Sequence, residues 1–297
     1  MYTSYWHLRS SPFLNADSEA LLYPSDQFNE GLARLLYLID QERIAGMITG
    51  PYGVGKSFLL TSLVQRSTRL KLPVIRFDAI PGGGLPMARH ILRQLGIDED
   101  PPALADALML LQQRCMGGGR SLSRNVLLID EAQYLAQGPG DEGLYLVHFL
   151  TNLRITTPSG QKPLFTTVLC GTPELADAVR KYESLRRRIQ LSWVLRPLSA
   201  PQTTEYVVQH LKAVGGDPWI FSVEALAAVH RHSGGIPRSV NNLCDTALML
   251  GYAAQAKYIT PDLIEEAAED TGLADDSDAP QTTPQEQPQM DETEQRQ

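Results

Sequence analysis

Short apolar runs alternate with segments of helical periodicity over the first two thirds of the chain. Five apolar runs have the length and composition of strands, at 44–49, 74–77, 126–129, 166–169 and 189–195. Apolar residues at helical spacing lie around and between these runs, at 25–41, 56–70, 86–95, 103–115, 143–154 and 173–182. Such strand–helix alternation predicts an α/β fold in which a parallel sheet is flanked by helices.

After residue 197 the pattern is helical. Helices are predicted at 201–214, 222–232, 237–253 and 261–268. Proline in the first turn, and Ser222 or Thr260 as caps, support these starts. We therefore expect an N-terminal extension with one helix, an α/β core, a small all-helical domain and a tail, at 1–43, 44–198, 199–272 and 273–297.

The tail differs in composition from the rest of the chain. From Ala274 onward it has seven acidic residues, one arginine and almost no large apolar side chain. Because such a segment cannot bury enough apolar surface to offset its conformational entropy, we expect disorder there. The tail also carries most of the net charge of −8. The nearly neutral remainder neither favours nor excludes nucleic acid as a partner.

Cysteine usage and the N-terminus indicate the compartment. Cys115, Cys170 and Cys244 lie far apart and have neither metal-ligand nor redox spacing. The first residues lack the basic start and apolar core of a signal peptide. No window approaches the roughly 18 apolar residues that a membrane helix needs. We therefore expect a cytoplasmic protein without a membrane span.

The clearest chemical motif is the segment 50–57, which fits the phosphate-loop pattern G-x-x-x-x-G-K-[ST]. An apolar strand precedes it and a helix follows it, as that pattern requires. Its glycines let backbone N–H groups turn inward around phosphates, and the helix adds its positive end. Lys56 would reach the β- and γ-phosphates, and the Ser57 hydroxyl would bind Mg²⁺. The predicted cofactor-binding residues of the loop are Gly50, Pro51, Tyr52, Gly53, Val54, Gly55, Lys56 and Ser57.

A second motif ends the third predicted strand, where the run 126–129 is followed by Asp130 and Glu131. Taken alone, two carboxylates at a strand end are most often just charge at a terminus. About 70 residues after a phosphate loop, they form a Walker B pair. Asp130 would then hold the water shell of Mg²⁺, and Glu131 would orient and deprotonate the attacking water. The glutamate indicates hydrolysis rather than nucleotide binding alone.

Three further positions are candidates for the same chemistry. Thr172 follows the fourth predicted strand and would position the lytic water, although a Gly-Thr-Pro turn is also an ordinary connection. Residues 180–196 carry six basic side chains and one acid, which is commonly a solvated face. The alternative is that Arg188, or Arg187 in its place, enters a neighbouring subunit's site and neutralises the γ-phosphate. Arg238 opens a helix of the small domain and would face the nucleotide if that domain covers the site.

These motifs, in this order, resemble the AAA+ ATPase superfamily. The segments 5–13, 171–175, 185–189 and 233–245 narrow the resemblance to the general secretion pathway protein A family, over residues 1–270. The resemblance implies a P-loop core with a helical lid, ATP and Mg²⁺ as ligands, and a ring or filament of subunits promoted by ATP. Members of that family continue into a membrane span and a peptidoglycan-binding domain, which have no counterpart in this sequence.

The leading functional hypothesis is an ATPase that works between subunits to drive or regulate a larger assembly. The resemblance implies a secretion or pilus-type machinery as its protein partner. The alternative is a DNA-associated ATPase of the transposition target-selector kind, in which the basic stretch would contact DNA. A third hypothesis, a nucleotide-binding scaffold that rarely hydrolyses, is disfavoured by Glu131.

Overall fold

The computed structural model describes residues 1–14, 23–69, 72–116, 122–158 and 160–273. The disorder expected from Ala274 onward concerns residues outside this described part. Its strands are β1 (Ala45–Thr49), β2 (Val74–Asp78), β3 (Asn125–Asp130), β4 (Arg154–Thr157), β5 (Gly160–Pro163), β6 (Phe165–Gly171) and β7 (Ile189–Val194).

The described helices lie between and after these strands. They are α1 (Tyr2–Tyr5), α2 (Asp26–Asp40), α3 (Lys56–Arg69), α4 (Gly84–Gln94), α5 (Leu104–Met116), α6 (Glu142–Asn152), α7 (Pro173–Lys181), α8 (Glu183–Arg186), α9 (Ala200–Ala213), α10 (Val223–Ser233), α11 (Pro237–Ala253) and α12 (Pro261–Thr271). Short 3-10 turns add Ala132–Ala136, Pro139–Asp141 and Pro218–Ile220.

All five predicted strands join one parallel sheet, in the order β2–β3–β6–β1–β7. Every residue of β1, β3 and β6 is buried, which fits central strands covered on both faces. On one face, Leu35 of α2 and Leu59 of α3 pack against Val126 and Val168. On the other face α4 to α8 form a second apolar cluster. The predicted α/β class is confirmed.

The sequence pattern does not predict the antiparallel hairpin of β4 and β5. The helix expected at 143–154 ends instead at Asn152, because Leu153 is already extended, with φ −66° and ψ 132°. The Arg154 side chain stabilises this end by donating to the carbonyl oxygens of Thr151, at 2.8 Å, and Leu153, at 3.0 Å. The hairpin itself is mostly polar, so no apolar run marks it.

The first 14 residues pack with the C-terminal helices rather than with the sheet. Trp6, Leu8 and Phe13 share one buried cluster with α9 to α12. The indole N–H of Trp6 donates to the carbonyl oxygen of Leu248 at 2.9 Å. Gly251 leaves room for this ring, since a Cβ there would lie 2.9 Å from it. The segment 1–43, predicted as one unit, therefore divides between two apolar clusters. Its first 14 residues pack with α9 to α12, whereas α2 packs on the sheet.

Across the ranges described, no helix combines the length and the apolarity that a membrane crossing requires.

We predict that Trp6→Ala destabilises the protein by about 3 kcal/mol or more, because it empties a large buried site and leaves a backbone carbonyl without its donor. Urea unfolding followed by circular dichroism measures the loss. Trp219→Ala is the matched control, since that indole is 76% exposed, and a change within about 0.5 kcal/mol is expected. Equal losses in the two variants would contradict the packing role of the N-terminal segment.

Candidate active site

The phosphate-loop motif, the acidic motif and Thr172 meet at one edge of the sheet. Parallel pairing places Thr49, the last residue of β1, opposite Gly171, the last residue of β6. Strand β3 pairs with the other side of β6 and ends at Asp130. The residues that follow these strands therefore lie side by side, although more than 120 positions separate Gly50 from Thr172.

The loop between β1 and α3 depends on its glycines. Gly53 and Gly55 have φ of +76° and +103°, which residues with a side chain rarely adopt. At Gly50 a Cβ would lie 2.3 Å from the carbonyl oxygen of Leu195. The backbone of the loop can therefore curve tightly into the first turn of α3, which begins at Lys56.

Lys56 is a buried cation held by the loop. It is 6% exposed, and its Nζ donates to the carbonyl oxygens of Gly50 and Pro51, at 2.9 Å each. Burial lowers the pKa of this ammonium group, while the nearby carboxylates of Asp130 and Glu131 act in the opposite direction. The arrangement holds a positive charge beside the glycine loop, where a phosphate would bind.

Asp130 is 3% exposed and has a partner on each carboxylate oxygen. Its Oδ1 accepts from the backbone N–H of Glu131 at 3.0 Å, and its Oδ2 lies 3.2 Å from Nη2 of Arg76. Arg76 also donates to the Thr61 hydroxyl at 2.9 Å. The sequence pattern does not single out Arg76, because its contact with Asp130 depends on β2 being the neighbour of β3.

The site has few protein ligands for a metal ion. No group of three or more His, Cys, Asp or Glu side chains suited to metal binding occurs within the described ranges. Asp130 at the strand end and Ser57 in the first turn of α3 offer one carboxylate and one hydroxyl. Mg²⁺ is commonly held by one or two such groups together with substrate phosphates and water. The residues present therefore fit Mg²⁺ bound with a nucleotide.

Glu131 leaves β3 in a left-handed conformation, with φ 48° and ψ 34°. Few residues other than glycine adopt it, and it costs free energy that the surroundings must offset. The Glu131 Oε2 accepts from Nε2 of Gln133 at 2.6 Å. The 3-10 turn Ala132–Ala136 follows directly, so the carboxylate is held at the point where the chain turns away from the sheet.

Thr172 is buried and is tied to the acidic motif through its backbone. Its N–H donates to Oε1 of Gln133 at 3.1 Å. Its side chain hydrogen-bonds to the carboxyl of Glu174, which lowers the pKa of that carboxyl. The hydroxyl predicted to position water is therefore engaged by Glu174. Gln133 links Thr172 to Glu131, and no motif in the sequence marks it.

The C-terminal helices close over the loop at Arg238. The Arg238 N–H donates to the carbonyl oxygen of Gly53 at 3.2 Å. A Cβ on Gly53 would lie 2.7 Å from the Cβ of Arg238. One cavity runs between the two parts of the chain, and its lining includes Tyr23, Phe28, Lys56, Glu131, Tyr206 and Arg238. The cavity therefore has the phosphate loop and Glu131 at one part of its lining and aromatic rings at another. The first part suits the phosphates of a nucleotide, and the second suits its base.

The two candidate arginines lie outside that cavity. Arg187 is paired with Glu183, with Nε and Oε1 2.7 Å apart. Arg188 has no acidic partner among the described residues, and it lines a surface depression with His148 and Lys181. Burial first, and then the charge of Arg188, lower the pKa of His148. Arg188 is therefore the uncompensated cation of the pair, and it is not brought to its own chain's Lys56.

Comparison with known proteins shows which families and proteins this chain resembles. A family model described as an AAA domain matches residues 39–179. General secretion pathway protein A of Aeromonas hydrophila is 31% identical over 280 residues, which cover 93% of this chain and 50% of that protein. The chain is therefore similar to an AAA domain over residues 39–179 and to general secretion pathway protein A over most of its length. It spans half the length of that relative.

Solved structures show the same fold at low identity. Drosophila ORC bound to DNA has a TM-score of 0.67 at 18% identity, covering 90% of this chain and 65% of that one. The ORC2 protein of Aeropyrum pernix, solved with ADPNP and ADP, has a TM-score of 0.63 at 17% identity, with coverage of 87% and 70%. The RuvB branch migration motor of Thermotoga maritima has a TM-score of 0.52 at 16% identity, with coverage of 86% and 72%.

We predict that Gly53→Ala loosens the start of α11, because the new Cβ collides with Arg238 and strains a left-handed position. Hydrogen exchange at the Arg238 amide should become about tenfold faster or more. Gly140→Ala is the matched control, since Gly140 has φ +67° with no atom within 4 Å of an added Cβ. It adds the strain without the collision. Unchanged exchange in Gly53→Ala would show that this helix does not depend on the loop.

Proposed function

We propose that the protein binds ATP with Mg²⁺ in this cavity and hydrolyses the bond between its β- and γ-phosphates. One observation carries the proposal: a buried lysine in a glycine loop lies at the same sheet edge as Asp130 and Glu131. The AAA domain match to residues 39–179 and the fold support it. We assign a residue of this edge to phosphate binding, to metal binding and to activation of the water.

Lys56 and the loop N–H groups bind the phosphates, with Lys56 giving up carbonyl partners for phosphate oxygens. Ser57 and Asp130 would hold Mg²⁺, which would neutralise phosphate charge. Glu131 orients a water molecule and accepts its proton as the water oxygen bonds to the γ-phosphorus. The bond to the bridging oxygen breaks, and ADP and phosphate leave. Thr172 helps to fix the water indirectly, because its N–H donates to the Gln133 side chain that in turn donates to Glu131.

The aromatic end of the cavity is the proposed base subsite. The rings of Tyr23 and Tyr206 lie edge to face with centroids 5.7 Å apart. The ring centroids of Tyr206 and His210 are 4.0 Å apart. Phe28 at the start of α2 lines the same cavity. Flat apolar surfaces of this kind suit a purine. Adenine is preferred here because of the family likeness.

We assign the arginine that acts in trans to Arg188. Arg188 lines a surface depression and has no acidic partner among the described residues, whereas Arg187, which lines the same depression, is ion-paired with Glu183. A second copy of the chain could place its γ-phosphate against Arg188, so that the complete site forms only between subunits of a ring or filament. This geometry makes oligomerisation and ATP binding mutually supportive.

For the biological role we propose a cytoplasmic accessory ATPase of a secretion or pilus-type assembly, on the likeness to general secretion pathway protein A. The alternative is a DNA-associated ATPase related to transposition. The basic depression around Arg188 and the likeness to an ORC solved with DNA support it. Duplex DNA binding that weakens steeply with salt favours the alternative, whereas its absence at low salt contradicts it.

We predict that Lys56→Ala weakens ATP binding at least tenfold, or about 1.4 kcal/mol, because it removes the cation that meets the phosphates. Isothermal titration with Mg-ATP measures this affinity. Lys212→Ala, at an exposed position of α9, should bind like the wild type. Wild-type affinity in a folded Lys56→Ala protein would contradict the assignment of the loop.

We predict that Arg188→Ala and Glu131→Gln each abolish most hydrolysis, and that mixing the two variants restores part of it. In a mixed oligomer one subunit supplies an intact Glu131 and its neighbour an intact Arg188. Steady-state phosphate release measures turnover, and Arg187→Ala serves as the matched control with activity near that of the wild type. An inactive mixture, or a loss in Arg187→Ala instead, would contradict the trans assignment to Arg188.

A further inference from the structure

We propose that Gln133 is a positioning residue that fixes the orientation of Glu131. This inference rests on the proposed function of Glu131 as the base. Gln133 is 6% exposed and lies in the 3-10 turn that follows β3. Its side chain points back to the sheet edge, where the loop, the acidic motif and the end of β6 meet.

Three hydrogen bonds converge on this one amide. Its Nε2 donates to Oε2 of Glu131 at 2.6 Å and to the Tyr52 hydroxyl at 3.2 Å. Its Oε1 accepts from the N–H of Thr172 at 3.1 Å. Residues from the phosphate loop, the end of β3 and the end of β6 are thereby joined through a single side chain. A shift of any one of them is transmitted to Glu131.

The partners determine which way the amide points. A carboxylate oxygen needs a donor and a backbone N–H needs an acceptor, so the opposite orientation would set oxygen against oxygen and N–H against NH₂. Of the uncharged side chains of this length, an amide is the one that meets both needs. Gln133 therefore fixes the direction in which the Glu131 carboxylate points.

The end of β6 is shaped around the same amide. A Cβ on Gly171 would lie 2.6 Å from Oε1 of Gln133 and 3.1 Å from its backbone nitrogen. Glycine at this position leaves the space that the amide occupies. The left-handed backbone of Glu131 aims its side chain into the same region, and the bond to Gln133 fixes it there. The hydrogen bond between Gln133 and Glu131 thus depends on the ends of both β3 and β6.

The proposal is tested with Gln133→Glu, which keeps the acceptor for Thr172 but sets a second carboxylate beside Glu131. Because the new carboxylate cannot donate to Oε2 of Glu131, the Glu131 side chain loses its fixed orientation, and kcat should fall about tenfold or more. ATP affinity should stay within about threefold, because the amide does not touch the loop N–H groups. Gln137→Glu adds the same charge at an exposed position of the next turn and should leave kcat unchanged.

Gln133→Met supplies a second test that does not require a buried charge. It should lower kcat about tenfold or more with little change in ATP affinity, and it should add no further loss to Glu131→Gln, since it acts through that residue. Wild-type turnover in folded Gln133→Glu, wild-type turnover in Gln133→Met, or a loss of ATP affinity that accounts for the change would each overturn the proposal. Wild-type turnover in Glu131→Gln would instead overturn the proposed base itself.

Discussion

The parallel register of three strands is the constraint on which the site depends. Strands β3, β6 and β1 are neighbours in the sheet although other elements separate them along the chain. Each carries a polar motif at or directly after its last residue. Because carboxyl ends of parallel strands meet at the same edge, the register alone brings Gly50, Asp130 and Thr172 together. A shift of one strand by a residue would separate the cation from the carboxylates.

Each buried charge at this edge has its own polar partners within the protein. Lys56 is buried against loop carbonyls, and Asp130 is buried against Arg76 and a backbone N–H. Burying a charge without partners is costly, so the fold needs these contacts. Under the proposed function, phosphate oxygens would replace the carbonyl partners of Lys56, and a metal ion would replace part of the contact between Arg76 and Asp130.

The sequence predicts what local pattern determines and misses what tertiary contact determines. Apolar runs predict all five strands of the sheet. The glycines of the loop motif predict a tightly curved backbone, and Gly53 has the positive φ that such a backbone needs. The polar hairpin after Leu153 has no such run, and its start depends on how α6 ends. No motif in the sequence identifies Arg76 or Gln133. The contact of Arg76 with Asp130 depends on strand order, and the contacts of Gln133 depend on the 3-10 turn after β3. The sequence favours Arg188 with Arg187 as the alternative, and the ion pair of Arg187 with Glu183 is a difference between them that the sequence pattern does not predict.

The central claim is that Lys56 and Glu131 of one subunit need Arg188 of another to make a complete active site. The most direct test is the specific rate of ATP hydrolysis at saturating Mg-ATP, measured over a wide range of protein concentration. The account predicts a rate per subunit that rises with concentration and reaches a plateau once the subunits are associated. A substantial rate per subunit that is constant down to concentrations at which the protein is monomeric would contradict it.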